Sequence, residues 1–184
     1  METEIKEISN DLLPVYFDIQ LENGAVMPVR AHETDVGYDI CAKEVEFIHE
    51  ELPWWKRIFG IKPRIITVKC DTGVHISPRS KDFWVMGLPN SRVSKLPFVL
   101  GNSAGVIDPD YTGSIRFIYN VLPYHKDYTT QYVKGFFSKG KVIGQLVVMY
   151  RYGMEFNRVD DLEATERGDG GFGSTDKERK EETK

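Results

Sequence analysis

Apolar and polar residues alternate along this chain in short, strand-like runs. Val15-Tyr16-Phe17-Asp18-Ile19-Gln20-Leu21 alternates with β-branched and aromatic residues. Arg64–Cys70, Phe83–Leu88 and Ser114–Val121 repeat the pattern, and Lys141–Tyr150 is the most apolar stretch, as a central strand requires. Gly and Pro punctuate the runs at Gly24, Pro28, Gly37, Pro78, Pro89, Gly101, Gly105, Pro109 and Gly113. No amphipathic helix of three turns is visible. Glu44–Phe59 carries scattered apolar residues, but Pro53 breaks any long helix there. The pattern leaves at most one short helical piece, near Val93–Phe98 or Trp54–Phe59. It predicts an all-β protein with many short strands in a distorted jelly-roll or barrel-like sandwich.

After Asn157 the pattern stops. Residues 158–184 hold only Val159, Leu162, Ala164 and Phe172 as apolar groups, so this arm has no core of its own. The expected organisation is an N-terminal extension (1–13), a β domain (14–157) and a flexible C-terminal arm (158–184). The arm ends in a mixed-charge stretch from Asp176.

A chain of 184 residues fits one domain, and its apolar fraction of 41% supports a core. A net charge of −4 without a basic stripe leaves no footprint for nucleic acid. No apolar run spans a bilayer, and Met1-Glu2-Thr3-Glu4 does not resemble a secretory leader. Two cysteines, Cys41 and Cys70, read as small strand residues and not as a disulfide framework. A cytoplasmic setting is expected, the host cytoplasm if the source is viral.

Three segments carry chemistry. Arg167-Gly168-Asp169-Gly170-Gly171-Phe172-Gly173-Ser174-Thr175 combines glycines, an arginine, two hydroxyls and a ring. Its backbone N–H groups can converge on an anion, with Arg167 adding a fork of donors. It reads equally as a Gly-rich tail. Gly105–Gly113, containing Asp108-Pro109-Asp110-Tyr111, is a turn between strands. Either its carboxylates only satisfy the turn, or it offers backbone groups that, with Asn102, read a nucleobase edge. Gly37-Tyr38-Asp39 is a bend entering a strand, with Asp39 either a cap or a carboxylate for a metal ion.

These segments, in this order, resemble the motifs of the all-β, homotrimeric dUTPase family. Asp35–Ile40 resembles the first motif, Gly105–Gly113 the third, Gly140–Leu146 the fourth and Arg167–Thr175 the fifth, so the likeness covers about residues 14–175. Two departures stand out. Asn90 occupies the place of the arginine in the second motif, Ser91 keeps the spacing to Asn102, and Arg92 follows it. Arg92 either substitutes for the missing guanidinium or points elsewhere, and Pro78-Arg79-Ser80 lies too far upstream to serve. Lys141-Val142 stands where an Asp-Arg pair is usual, which removes a peripheral salt link. The chain also carries insertions near 44–63 and 124–139. In the first, Trp54-Trp55 beside Lys56-Arg57 has the composition of a protein-partner surface, or of a loop folded on its own domain.

The resemblance implies hydrolysis of dUTP to dUMP and pyrophosphate, which keeps uracil out of DNA and supplies dUMP for dTMP synthesis. It implies Asp108 as the base that activates water, and Mg²⁺ held through water by Asp39. It implies Ser91 and Gln145 at the α/β-phosphates. Asn102, Gly105 and Ile107 would read uracil, and Tyr111 would pack on the sugar. Arg167, Gly173, Ser174 and Thr175 would clamp the terminal phosphate, with Phe172 stacked on the base. It further implies a homotrimer whose arms complete neighbouring sites. The alternatives are a dCTP deaminase-like enzyme, which the Gly-rich fifth motif disfavours, and a nucleotide-gated, protein-binding regulator without hydrolysis.

Overall fold

The computed structural model describes residues 14–122 and 129–170, with the side chain of Lys95 excepted. Its elements run β1 (Phe17–Leu21), β2 (Tyr38–Cys41), β3 (Glu44–His49), α1 (Trp54–Ile58), β4 (Ile65–Asp71), β5 (Val74–Pro78), β6 (Phe83–Leu88), a 3₁₀ turn (Ser91–Lys95), β7 (Phe98–Leu100), β8 (Gly105–Ile107), β9 (Arg116–Val121), α2 (Thr130–Phe136) and β10 (Val142–Tyr150). The five runs read from the alternation become β1, β4, β6, β9 and β10. The run that began at Ser114 starts as a strand only at Arg116, because the Ile115 backbone bonds to Thr72 and to Val74 at the start of β5 instead of joining the β4 or β7 ladder.

The strands form two four-stranded antiparallel sheets, ordered β2-β10-β6-β8 and β3-β4-β9-β7, and a two-stranded β1-β5 ribbon. One apolar cluster joins them. Ile40, Val85, Ile143 and Leu146 come from the first sheet, and Ile65, Val68, Phe98, Phe117 and Tyr119 from the second. This is a sandwich, and its sheets do not close into a barrel among the described residues. On β9 the alternation is strict: Phe117, Tyr119 and Val121 are buried while Arg116, Ile118 and Asn120 are exposed. Cys70 is buried in β4, where desolvation pushes its thiol up to about 12, so it packs as a small apolar side chain.

β10 holds the sandwich at its tightest point. The register against β2 shifts between Val142 and Gly144, so Ile143 and Gly144 are both buried. A Cβ on Gly144 would stand 2.4 Å from Phe117 Cε1 and 2.9 Å from the Leu88 carbonyl oxygen. Only glycine admits that approach of β9 to β10.

The expectation of at most one helical piece is corrected: three are present among the described residues, α1, the 3₁₀ turn and α2. α2 escaped the sequence reading because it is short and presents one fully buried residue, Val133. Its stability comes from tertiary packing instead of periodicity. Thr129 caps it by accepting a hydrogen bond from the Tyr132 N–H, and Phe137, at its C-terminal end, packs edge-on to Phe98 and against Tyr119. No helix among the described residues is long and apolar enough to cross a membrane. The chain divides at Tyr152–Gly153 into a first compact unit and a second that carries the arm.

Phe137 is 1% exposed and joins α2 to both aromatic partners. Phe137→Ala is expected to destabilise the protein by about 3–5 kcal/mol, read as a lowered urea midpoint at unchanged slope.

Candidate functional site

The order β2-β10-β6 sets three residues in a row, because Gln145 is the register partner of Asp39 on one side and of Leu88 on the other. Directly opposed residues share a face of the sheet, so Asp39 and Gln145 project together. Gln145 Nε2 donates to the Pro89 carbonyl at 3.3 Å, which ties β10 to the chain leaving β6. Gly37 lies beneath its other end: a Cβ there would come within 2.3 Å of Gln145 Oε1. A side chain at position 37 would therefore displace the Gln145 amide, which lies more than a hundred residues away along the chain.

The chain leaving β6 carries Asn90 and Ser91. Ser91 opens the 3₁₀ turn and is exposed, with its hydroxyl unpaired among the described residues. Asn90 Oδ1 is buried with no hydrogen-bond partner among the described residues. Arg92 points elsewhere: its Nη2 donates to the Val142 carbonyl at 3.3 Å, and its guanidinium carbon lies 5.1 Å from the Phe136 ring centre. Its charge is therefore engaged by α2 and β10.

The second half of the site is the turn after β8. The Tyr111 N–H donates to the Asp108 carbonyl at 3.0 Å, and the Tyr111 hydroxyl to the Ser114 carbonyl at 2.9 Å. The ring wraps Gly113 so closely that a Cβ there would lie 2.5 Å from the hydroxyl. The two carboxylates of the turn have different surroundings. Asp110 pairs with Lys81 at 2.6 Å, and that hydrogen bond holds its carboxyl below the usual range. Lys81 also donates to the Pro109 carbonyl at 2.8 Å. The Asp108 carboxylate is exposed and has neither hydrogen-bond nor ion-pair partner among the described residues.

Asn102, Gly105, Ile107 and Tyr111 line one cavity of about 180 Å³, with Gly87 and Phe117 among the other walls. The Asn102 amide has no hydrogen-bond partner among the described residues. The cavity is smaller than the roughly 300–1,000 Å³ of drug-sized pockets and suits a single heterocycle. Four residues named from the sequence for base reading and sugar packing are therefore brought together.

Arg167 belongs to the second unit, where its Nε donates to the Gly170 carbonyl at 3.1 Å and the Gly170 N–H returns to the Arg167 carbonyl at 3.0 Å. Gly168 takes φ +52°, the left-handed conformation that favours glycine. Phe172, Gly173, Ser174 and Thr175 lie outside the described residues.

Among the described residues no three His, Cys, Asp or Glu side chains gather to hold a metal ion. Asp39 is instead one half-buried carboxylate beside an amide. That donor set fits Mg²⁺, which keeps its waters and takes most oxygens from phosphates, and does not fit a cage built by protein alone. Lys81, Gly37 and Asn90 were not legible as site residues. Lys81 and Gly37 act through partners distant in sequence, and Asn90 could be noted only as a departure from a motif.

The sequence pattern of dUTPases matches residues 23–176. The deoxyuridine 5'-triphosphate nucleotidohydrolase of Solanum lycopersicum is 30% identical over 90% of this chain and 84% of its own length. The enzyme of the same name from Escherichia phage T5 is 38% identical over 57% of this chain and 66% of its own. Among solved structures, a mutant dUTPase of Staphylococcus bacteriophage 80alpha with dUpNHpp superimposes with TM-score 0.62 at 22% identity, covering 87% of this chain and 98% of that one. A mutant dUTPase of phage phi11 of S. aureus, described with a structural Mg(II) ion, gives TM-score 0.58 at 21% identity, covering 81% and 99%. With most of its length inside the family pattern and a full-length relative at this identity, the chain belongs to the dUTPase family.

Proposed function

We propose that this protein hydrolyses dUTP to dUMP and pyrophosphate, with Asp108 as the base that takes a proton from the attacking water. The observation that carries the assignment is the contrast on one turn. Asp110 is paired with Lys81, whereas the Asp108 carboxylate is exposed and has no partner among the described residues. Water adds to the α-phosphorus as the bond to the β-phosphate oxygen breaks, and pyrophosphate departs. A positioned base supplies about 10²–10⁴-fold; the remainder comes from alignment and charge stabilisation.

Uracil presents an acceptor–donor–acceptor edge, which the Asn102 amide and the backbone of Gly105 and Ile107 complement in the 180 Å³ cavity. Cytosine would place a donor against a donor, a mismatch that a hydrogen-bonding site rejects strongly. Tyr111, packed against Gly113, leaves no space for a ribose 2′-hydroxyl in this reading. Ser91 and the Gln145 amide take the α/β-phosphates. Asp39 would hold Mg²⁺ through water, and the ion would supply charge neutralisation at the phosphates. Arg167, Gly173, Ser174 and Thr175 grip the terminal phosphate, and Phe172 covers the base. The reaction keeps uracil out of DNA and provides dUMP for dTMP synthesis.

We place these arms in a homotrimer, each completing a neighbour's site. The support is the exposure of the arm's own apolar groups: Val159 and Leu162 are both exposed, so the arm covers no core of its own. The Trp54–Trp55 segment supports a protein contact of its own. No residue of α1 is buried, and Trp54, Ile58 and Phe59 stand exposed beside Lys56 and Arg57, the residue types of interface hot spots. A cytoplasmic setting accords with the free Cys41 and Cys70.

Asp108→Asn is expected to lower kcat by about 10²–10⁴-fold while calorimetry still registers binding of a non-hydrolysable imido analogue of dUTP; near-normal pyrophosphate release would remove Asp108 as the base. Gly37→Ala drives a methyl into Gln145 Oε1. It should cut kcat/KM at least about tenfold, the scale of one misplaced group, with the melting temperature changed by only a few degrees. Deleting residues 166–184 should abolish turnover yet leave the number of subunits in the assembly unchanged by sedimentation equilibrium, and an active truncate would refute the role of the arm.

A further inference from the structure

The turn that carries Asp108 is gripped from both flanks by side chains of the β5–β6 region. Lys81 holds Pro109 and Asp110 on one side. On the other, His75 of β5 reaches the Thr112 carbonyl through Nδ1 at 2.8 Å, and Glu22 Oε1 through Nε2 at 3.0 Å. Both atoms that face the ring are acceptors: a carbonyl oxygen has no proton to give, and neither has a carboxylate. A neutral imidazole has one N–H and can satisfy one of them; only the imidazolium satisfies both. Glu22 is itself held by Lys43, which also pairs with Glu44, so the carboxylate is fixed where the ring meets it.

We propose that His75 is a positioning residue for the hydrolysis: as an imidazolium bridging Glu22 and the Thr112 carbonyl, it fixes the turn that presents Asp108 and Tyr111 to substrate. The proposal rests on the hydrolase reading above for its effect on rate, but its geometry does not.

The surroundings of His75 favour the charged ring. The Thr112 carbonyl, and then the Glu22 carboxylate, raise its pKa above the ordinary 6.5, with Asp71 adding a weaker attraction. Burial would raise the Asp71 carboxyl, but the Ser114 hydroxyl, the Gly73 N–H and the Arg116 guanidinium outweigh it and keep the group charged. Asp18, which also lies along this face, is occupied by Arg79 at 2.8 Å, and Asp110 by Lys81. The folded pKa of His75 thus lies above its unfolded value. The clamp is complete below about pH 6.5 and is lost as pH rises through the raised folded value. Past that point the ring keeps a proton for Thr112 and turns a lone pair toward Glu22, or the reverse, and one contact becomes repulsive.

The test is made on the full-length protein. In the wild type, the His75 Cε1–H resonance is titrated by NMR together with the Tyr111 ring and the Gly113 amide. A shared midpoint above that of an unstructured histidine is expected; Tyr111 and Gly113 signals indifferent to that midpoint overturn the proposal. In parallel, kcat and KM for dUTP are measured from pH 6 to 9.5. Wild-type kcat should fall through the same midpoint, and Glu22→Gln should move that fall to lower pH. His75→Gln should erase it, with kcat about ten- to hundred-fold lower at pH 6.5, the scale of a small misplacement of reacting groups, and KM within about threefold. Superimposable kcat profiles for wild type and His75→Gln refute the positioning role. A wild type that leaves dUTP intact sinks the hydrolase reading, whereas the NMR midpoint still decides whether the clamp exists.

Discussion

No side chain fits at Gly144, and much of the site follows from that. The Phe117 ring from the opposing sheet and the Leu88 carbonyl from the adjacent strand press on the space a Cβ would occupy. Close packing of this kind leaves no slack for a methylene. The register shift at Gly144 lets β10 absorb the approach without leaving the ladder. It also sets which residue comes next in line: Gln145 falls opposite Asp39 on one strand and Leu88 on the other. An interior packing constraint in this way fixes the place of a polar group at the sheet's end. Phe117, which creates the constraint, also forms part of the wall of the 180 Å³ cavity. Core and cavity wall share one ring.

Electrostatics then distinguishes groups that are alike in chemistry. Asp108 and Asp110 are two residues apart on one turn, yet only Asp110 meets a lysine. Pairing lowers the affinity of Asp110 for protons, while the Asp108 carboxylate has no partner among the described residues. The same turn is held by an internal bond from the Tyr111 hydroxyl, by Lys81 and by His75. A loop with so many anchors has a defined position, which is what the proposed role of Asp108 requires. The unmatched acceptor of Asn90 belongs to this picture too: a buried oxygen without a donor is rare, and it occurs where the family's second motif changes.

Local chemistry made part of this readable. Strict alternation in β9 and the apolar run of β10 identify strands because a half-buried sheet imposes a period of two on any sequence that forms it. The motif around Asp108 was legible because turn residues act on their immediate neighbours. α2 was not legible, since one buried valine and two phenylalanines give no helical stripe to detect. Arg92 was ambiguous in sequence, and its direction was decided by Phe136 and the Val142 carbonyl, neither of them a near neighbour.

The amino-acid order alone determined the all-β class, the main strands, the polar arm and the family to which the motifs belong. Each of these depends on interactions within a few residues, or on the pattern those interactions leave. Tertiary structure alone decided which carboxylate of the turn pairs with a lysine, that Gly37 lies against the Gln145 amide, and that His75 faces two acceptors at once. These depend on contacts from Lys81, Gln145 and Glu22, which lie 28 residues or more away along the chain. Such contacts come into being only when the sheets pack and the intervening chain is ordered, and no local preference encodes them.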